Sequence, residues 1–577
     1  MDNSIKIIFM LKKLKRINFV FPVLSFIAGS VLVIILWSCN GNATAQKFDK
    51  IKNSNSILAL AKFIDENPSA DQTAEAIKLR NKLIYDSISK INSVKEYKKF
   101  VKYFPGAEQA EAAKKKIKEL SGTHIVISTF RGNFQRNYYG DKCPSRLDEI
   151  WTLNLGSGQS FAYGKMYTWT GAGWTGQPLV VEEDSSKTFL IQGAFDYNVR
   201  KINAKTGKVV WKYKFDDVIK GTGTIWVNPK PDKPENAVVI MQGSRRGEVL
   251  PNPNVRPSFR EISYFTGKEL WKLDVVETPS YSRDCDGSAL VYNDTAYIGL
   301  ENGKFVVFNP DHQFAAEKTG IIQPKIYQDF NMWEEPDIQK HHNNLVNESS
   351  LTQLNGKVYL TGGSGRVYGY NLKTRKFDWE FYVGPDLDCS APVTHDSCLL
   401  VNCKPVYGAK VGGVFKLDPS KDPKEAAQWF FPVGNKKFAF WDGGIIGTVA
   451  VNDKYVKETD QHIAAFLAID GNLYVVDQNK LSGEKCTGPD GVTTYPEPKL
   501  LFKKYVGASI SSPIIVGNKL VACTYEGIYL FEFDKDMNFK LLEQKKGISF
   551  EASPICWNNR IYVVSNTTGL MYCFGEK

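Results

Sequence analysis

Arg200-Lys201-Ile202-Asn203-Ala204-Lys205-Thr206-Gly207-Lys208-Val209-Val210-Trp211-Lys212 recurs sixty residues on as Arg260-Glu261-Ile262-Ser263-Tyr264-Phe265-Thr266-Gly267-Lys268-Glu269-Leu270-Trp271-Lys272. Each copy reads as a strand, a turn in which glycine can take a positive φ, and a second strand carrying tryptophan. A looser copy runs from Tyr370 to Trp379. Tryptophan at a fixed register of a hairpin is expected to pack between adjacent sheets, because it covers a large apolar area and leaves its N–H for a neighbouring carbonyl. Trp151, Trp211, Trp271 and Trp379 are assigned to that role.

Related strands without the tryptophan begin at Gly303, Gly365, Gly413, Gly471, Gly527 and Gly569, which brings the copies to eight. Ahead of several stands a short run such as Ser390–Val393, Ser511–Val516 or Ala552–Ile555, expected to be the inner strand of the same unit. Short alternating strands punctuated by turns over some 450 residues predict a mainly β fold, an eight-bladed β-propeller of four-stranded antiparallel blades over 123–577.

The residues and spacing of this hairpin resemble the PQQ-like, quinoprotein-type propeller family. The stretch from Phe130 to Leu153 is similar to the family's N-terminal strand, which implies that it completes the last blade and closes the ring. The repeat is specific to fold and not to activity.

Residues 47–120 are different in kind, rich in Lys, Glu, Ala and Leu. Two stretches match, 61–83 and 98–120: Phe63 and Pro68 align with Phe100 and Pro105, and Ala74-Glu75-Ala76 with Ala110-Glu111-Ala112. Proline stops one helix and a turn begins the next, so 48–120 is expected to be a pair of helical hairpins resembling tetratricopeptide units. It would serve as a spacer or bind a partner.

Lys12, Lys13, Lys15 and Arg16 precede the apolar run Phe19–Trp37, and Leu36-Trp37-Ser38-Cys39 resembles a bacterial lipobox, with Trp37 departing from the usual small or aliphatic residue. The resemblance implies a signal peptide over 1–38, acylation of Cys39, a tether over 39–47 and a lipid-anchored outer-membrane protein facing the periplasm. The alternative is an uncleaved signal anchor, since the apolar run is nearly long enough to span a bilayer. Either way the body is expected to be exported.

The formal charge of +11 falls to +7 once the five basic residues and one acid of residues 1–38 are set aside, and no basic block remains to track a phosphate backbone. No nucleic-acid partner is expected. Composition agrees with a folded body: 43% of the 577 residues are apolar and 13% aromatic, including 12 Trp. With Cys39 acylated, nine cysteines remain, without CxxC spacing, and are expected to be mostly buried small hydrophobes.

Three functions compete for such a chain. The first is a non-catalytic scaffold similar to the BamB-type lipoproteins of the outer-membrane β-barrel assembly machine, with an envelope protein, an outer-membrane β-barrel or its assembly machine as partner. The second, implied by the family, is a PQQ- and Ca²⁺-dependent dehydrogenase. The adjacent cysteines that accompany that cofactor are absent, and Asp534-Lys535-Asp536 is an isolated acidic pair without a further ligand at loop spacing, so no cofactor, metal or catalytic residue is expected. The third is a ligand-binding propeller, for which the candidates are acids ahead of inner strands, Asp286, Glu348, Asp388 and Glu551, with Arg283 and Arg366 as neutralising partners. His341, His342 and His462 have no metal-ligand spacing. The long segments Asn309–Asn343 and Gly434–Gln461 are candidate contact loops.

Overall fold

The computed structural model describes residues 43–577 apart from 92–93, 163, 184–186, 248–249 and 458. Cys39 and the apolar run before it lie outside these residues. No helix among the described residues is long and apolar enough to cross a membrane. The chain divides into two units, 1–124 and 125–577.

The first unit is helical, with helices over 43–51, Ile57–Glu66, Thr73–Ile91, Val94–Tyr103 and Ala110–Ser121. The last four form the two expected hairpins. Their turns are built alike: Asn67 N donates to Phe63 O and Ala70 N to Asn67 O, as Phe104 N donates to Phe100 O and Ala107 N to Phe104 O. Phe63 and Phe100 are the buried equivalents, one packed with Leu60 and Ala76, the other with Ile84, Ile88 and Ala113. Helix already covers 43–47, which the sequence reading assigned to the tether, and Phe48 is buried in the first hairpin's core.

The second unit is an eight-bladed propeller. Blades 2 to 8 begin with strands at Thr224–Val227, Leu290–Tyr292, Thr352–Leu354, the Val393–Leu399 bridge, Ala450–Val451, Ile514–Val516 and Ile555–Trp557. Blade 1 begins with Leu179–Glu183, flanked by a fifth strand at Thr123–Ile127. All eight glycine- or arginine-led copies fall on the third strand of a blade: Asn198–Asn203, Phe259–Ser263, Lys304–Phe308, Arg366–Asn371, Gly413–Leu417, Asn472–Thr487, Gly527–Phe533 and Leu570–Gly575. Blade 5 has three regular strands, its inner strand reduced to that bridge.

Blade 8 takes its outer strand from the beginning of the propeller, Asp148–Asn154, which pairs antiparallel with Leu570–Gly575. This part of the expected N-terminal strand is a strand; Phe130–Asn133 is not, for reasons given below. Closure in this way leaves no open edge between first and last blades.

The tryptophans join neighbouring blades as expected. Trp151 Nε1 donates to Ala204 O at 2.9 Å, Trp211 to Tyr264 O at 2.9 Å, Trp271 to Pro310 O at 3.2 Å and Trp379 to Lys421 O at 3.1 Å. Trp429, not assigned from the sequence, donates to Gln478 O at 2.9 Å and extends the pattern to blades 5 and 6.

The segment Asn309–Asn343 is only in part a loop. It contains a hairpin, Ala316–Lys318 with Ile321–Gln323, then the outer strand of blade 3, Ile326–Asn331, and a short helix, Glu335–Lys340. Gly434–Gln461 is likewise interrupted by the inner strand Ala450–Val451. The nine cysteines from Cys143 onward are free thiols, seven of them buried.

Candidate functional site

The propeller axis is organised by one register, repeated in every blade. Two residues ahead of the inner strand, or three ahead of the Val393 bridge in blade 5, stands a buried polar residue: Gln177, Thr222, Ser288, Ser350, Ser390, Thr448, Ser512 and Ser553. These bond blade to blade around the ring. Gln177 N donates to Thr222 Oγ1 (2.7 Å), Ser288 Oγ to Thr222 O (2.6 Å), and Ser288 N to Ser350 Oγ (2.9 Å). Ser350 N then donates to Ser390 Oγ (2.9 Å), Ser390 N to Thr448 Oγ1 (3.2 Å), and Thr448 N to Ser512 Oγ (2.9 Å). Ser512 N donates to Ser553 Oγ (3.3 Å), and Ser553 Oγ to Trp174 O (2.9 Å), which returns the belt to blade 1. The Ser-Ala-Pro, Ser-Ser-Pro and Ala-Ser-Pro runs carry it. A hydroxyl both accepts and donates, so it can satisfy the backbone groups that converge where eight strands approach one axis.

One side of this belt is plugged. Residues 128–140 run into the axis and bond to the inner strands of six blades. Ile225 N donates to Ser128 O (2.7 Å), Gln353 N to Phe134 O (2.8 Å), Val393 N to Gln135 O (2.9 Å) and Cys556 N to Tyr139 O (3.0 Å). Arg131 N donates to Gln177 Oε1 (3.1 Å) and Val451 N to Tyr139 Oη (2.9 Å). Arg131 and Arg136 are fully buried here, both with positive φ. Arg136 donates to Leu351 O, to Phe130 O (2.7 Å) and to Thr129 Oγ1 (2.9 Å); Arg131 donates to Val449 O (3.3 Å) and stacks on Tyr139, 4.0 Å from its centroid. Burial lowers the Arg136 guanidinium to about 9. The resemblance that made Phe130–Asn133 a strand is therefore corrected: these residues fill the axis, which requires the left-handed turns at Arg131 and Arg136 that a strand cannot contain.

The other side of the belt is the candidate site. Two residues further ahead in each blade are Thr175, Lys220, Asp286, Glu348, Asp388, Ile446, Ile510 and Glu551. All four acids singled out from the sequence occupy this register. Because the plug bonds to the strands themselves and these residues precede the belt, they line a mouth whose floor is closed.

The mouth has a charged arc over blades 2 to 5. Lys220 Nζ lies 2.5 Å from Asp286 Oδ2, 3.7 Å from Glu301 and 3.9 Å from Asp284, and Arg245 Nε is 2.6 Å from Asp284. Lys404 Nζ bridges Asp386 (2.7 Å) and Asp388 (2.6 Å). Six carboxylates, with Glu348, thus face three cations. Burial, with Asp388 close by, raises Glu348 to about 8. Burial and Asp386 raise Asp388 to about 6 against the pull of Lys404, and burial with Asp286 holds Glu301 well above its ordinary value. Burial alone would lower Lys220 and Lys404, but the carboxylates around them raise both well above the usual lysine range. Asp286 Oδ1, Glu301 Oε1 and Asp386 Oδ1 are buried without a hydrogen-bond partner among the described residues. Such groups are costly unless something else satisfies them.

Arg283 and Arg366 do not neutralise these acids, contrary to expectation. Arg283 donates to Val275 O and lies 3.5 Å from Asp274, while Arg366 is taken up by Asp337, Glu380 and Glu334. The partners are instead lysines of the same register or of nearby loops, Lys220 and Lys404, which no sequence signal distinguished. Glu551 stands apart from the arc, raised by burial and hydrogen-bonded by Tyr525 Oη and Asn566 Nδ2, both at 3.0 Å.

The opposite arc is apolar. Ile446 and Ile510 pack with Trp174 and Ile469, and Phe438, Trp441 and Tyr525 close over them. Phe438 and Trp441 pair across a tight turn within Gly434–Gln461 whose tip, Phe440, is 83% exposed.

Asp286, Glu301 and Glu348 lie close enough together to share a cation. Calcium with its quinone does not fit them as they stand, because the Lys220 ammonium already sits against Asp286 and Glu301 and would have to withdraw. Asp534 is elsewhere, its carboxylate closing its own turn on Asp536 N and Asn538 N at 2.9 Å each.

No protein-family profile matches the chain, and no curated protein matches it. Among solved structures it is similar to BamB from Moraxella catarrhalis, at 12% identity and a TM-score of 0.44, covering 74% of this chain and 100% of that one. It is also similar to the quinohemoprotein alcohol dehydrogenase from Comamonas testosteroni, at 12% identity and a TM-score of 0.48, covering 78% and 81%. A europium-containing methanol dehydrogenase matches at 12% identity and a TM-score of 0.46, covering 78% and 98%. These are likenesses of fold at low identity. A propeller common to a BamB and to dehydrogenases does not decide whether a chain is catalytic.

Proposed function

We propose that this chain is a non-catalytic protein-interaction scaffold of a bacterial envelope, docking its partner over the mouth of the plugged propeller. The observation that carries this reading is the mouth itself: a closed floor, six carboxyls facing Lys220, Lys404 and Arg245, and beside them an apolar cluster covered by Phe438, Trp441 and Tyr525, with Phe440 exposed next to it. A protein segment presenting a basic side chain next to an apolar one matches both arcs. Buried anchors flanked by a charged rim are how protein interfaces concentrate affinity. The lipobox-like Leu36–Cys39 supports acylation at Cys39 and an outer-membrane, periplasm-facing position, and the helical hairpins give a second surface or a spacer. An outer-membrane β-barrel or its assembly machine is the proposed partner class, with no cofactor.

A photo-crosslinking residue placed at Phe440 in intact envelopes tests this. A discrete crosslinked envelope protein, weakened by Asp286→Asn with Asp388→Asn, is expected. No crosslink, or dye-linked alcohol oxidation by the purified chain supplied with PQQ and Ca²⁺, would overturn it.

A further inference from the structure

On the face opposite the mouth, the loops joining the first and second strands of blades 5 and 6 bring together His395, Asp453 and His462. We infer that these three residues form a binding site for a late first-row divalent metal ion, with Zn²⁺ as the probe.

The geometry is specific. His462 Nδ1 lies 2.5 Å and His395 Nδ1 3.3 Å from the same carboxylate oxygen, Asp453 Oδ1. The two imidazoles stack with centroids 3.5 Å apart and planes 12° from parallel. The ligand atoms of all three residues lie within 4.8 Å of one another. Asp453 is held from behind, its Oδ2 accepting from Gln478 Nε2 at 3.0 Å, so that Oδ1 is directed at the histidines. Gln478 is in turn fixed by donating to Ile463 O at 2.9 Å. A ligand carboxylate oriented by a further hydrogen bond is what metal sites use to set geometry. Lys416, which reaches Gln478 behind the site, is occupied by Asp396 at 2.6 Å and by Gln478 O and Asn479 Oδ1 at 3.1 Å each.

Two imidazoles and one carboxylate are the donor set of Zn²⁺ and its neighbours, and not of Ca²⁺ or Mg²⁺, which take oxygen ligands. Metal–ligand bonds of about 2.0–2.2 Å allow two donors to share an ion when they are up to about 4 Å apart. Binding requires the stacked rings to splay. His395 supplies that freedom: its side chain is 23% exposed, whereas those of Asp453 and His462 are each 4% exposed. The sequence concealed the site because His395 comes from a neighbouring blade, far outside any ligand-spacing motif.

The ion would staple blades 5 and 6. It would also reach the plug, since Tyr455, two residues from Asp453, accepts from Tyr139 N at 2.7 Å and donates to Gly140 O at 3.0 Å. With three protein ligands, a fourth position is left for water or for a group on a partner.

The test is titration of the chelator-stripped full chain with Zn²⁺ against a chromophoric chelator, with Co²⁺ as spectroscopic substitute. One ion per chain is expected, with affinity reduced about tenfold or more in His395→Ala and Asp453→Asn. Zn²⁺ should raise the unfolding temperature of the wild type and not of the His395→Ala variant. Cobalt should show visible d–d bands without thiolate charge transfer. Absence of a stoichiometric ion, equal affinity in the variants, or a thiolate charge-transfer band from the free cysteines would each overturn the assignment.

Discussion

The indole of Trp151 lies over Gly207. A β-carbon at Gly207 would stand 2.8 Å from the Trp151 ring, and Trp151 Nε1 reaches past it to Ala204 O. The pair joins blade 8 to blade 1. Trp211 and Gly267 repeat it between blades 1 and 2, at 2.9 Å. The glycine of each turn thus has two jobs, a positive φ and room for the preceding blade's tryptophan. Gly207→Ala is expected to lower stability by about 1–3 kcal/mol. Gly356→Ala is the control: its φ of 79° is also positive, but nothing lies within 4 Å of the added carbon. Denaturation midpoints should place Gly207→Ala clearly below Gly356→Ala; equal losses would mean that conformation alone demands the glycine.

The ring was legible because its period is written in short-range chemistry. Thr-Gly-Lys followed by a tryptophan fixes a hairpin locally, and eight copies state the blade number. The acids at Asp286, Glu348, Asp388 and Glu551 were legible for the same reason, since each keeps a constant offset from its strand. What the sequence hid is long-range. Lys220 and Lys404 look like any loop lysine until the ring brings them to the acids, and His395 meets His462 only across a blade boundary. The plug was misread because its signal is conformational: Arg131 and Arg136 turn left-handed under the pull of carbonyls from blades hundreds of residues away.

Arg136 should hold the plug. Among the described residues its guanidinium has no carboxylate partner, and it is spent on Leu351 O, Phe130 O and Thr129 Oγ1. Arg136→Met keeps much of the volume but strands buried oxygens, at about 1–3 kcal/mol for each left unsatisfied. Hydrogen exchange should show the inner strands of blades 2 and 4 opening more readily in this variant, with the helical hairpins unaffected. Uniform exchange across the propeller would show that the plug does not stabilise those strands.

Cys143 and Cys556 are free thiols, and burial together with the neighbouring Cys143 raises Cys556 well above its ordinary value. Gly140 pairs with Cys556 as an isolated bridge, so a disulfide here would tie the end of the plug to blade 8. Mild oxidation is expected to yield a Cys143–Cys556 crosslinked peptide and to stabilise the chain by about 2–4 kcal/mol against its reduced form. Cys143→Ser should abolish both effects. Peptide mapping that finds both thiols alkylated after oxidation would contradict this.

Stability should fall between about pH 5 and pH 8, in contrast to a protein whose carboxylates are held ionised by cations. Burial raises Glu348 to about 8 and Asp388 to about 6, so the folded chain binds protons that the unfolded chain has already lost. The contribution is fully present below the unfolded carboxylate range and is lost as pH climbs through the folded values. Glu348→Gln removes one of these raised carboxyls and should make the profile less steep, with little change at pH 5 and a gain at pH 8. A basic partner in the mouth would act in the opposite direction by supplying the missing cation, so its affinity should rise over that interval and lose the rise in Glu348→Gln. Urea midpoints measured across the range decide it: a profile that climbs from pH 5 to pH 8, or one unchanged by Glu348→Gln, would remove Glu348 as its source.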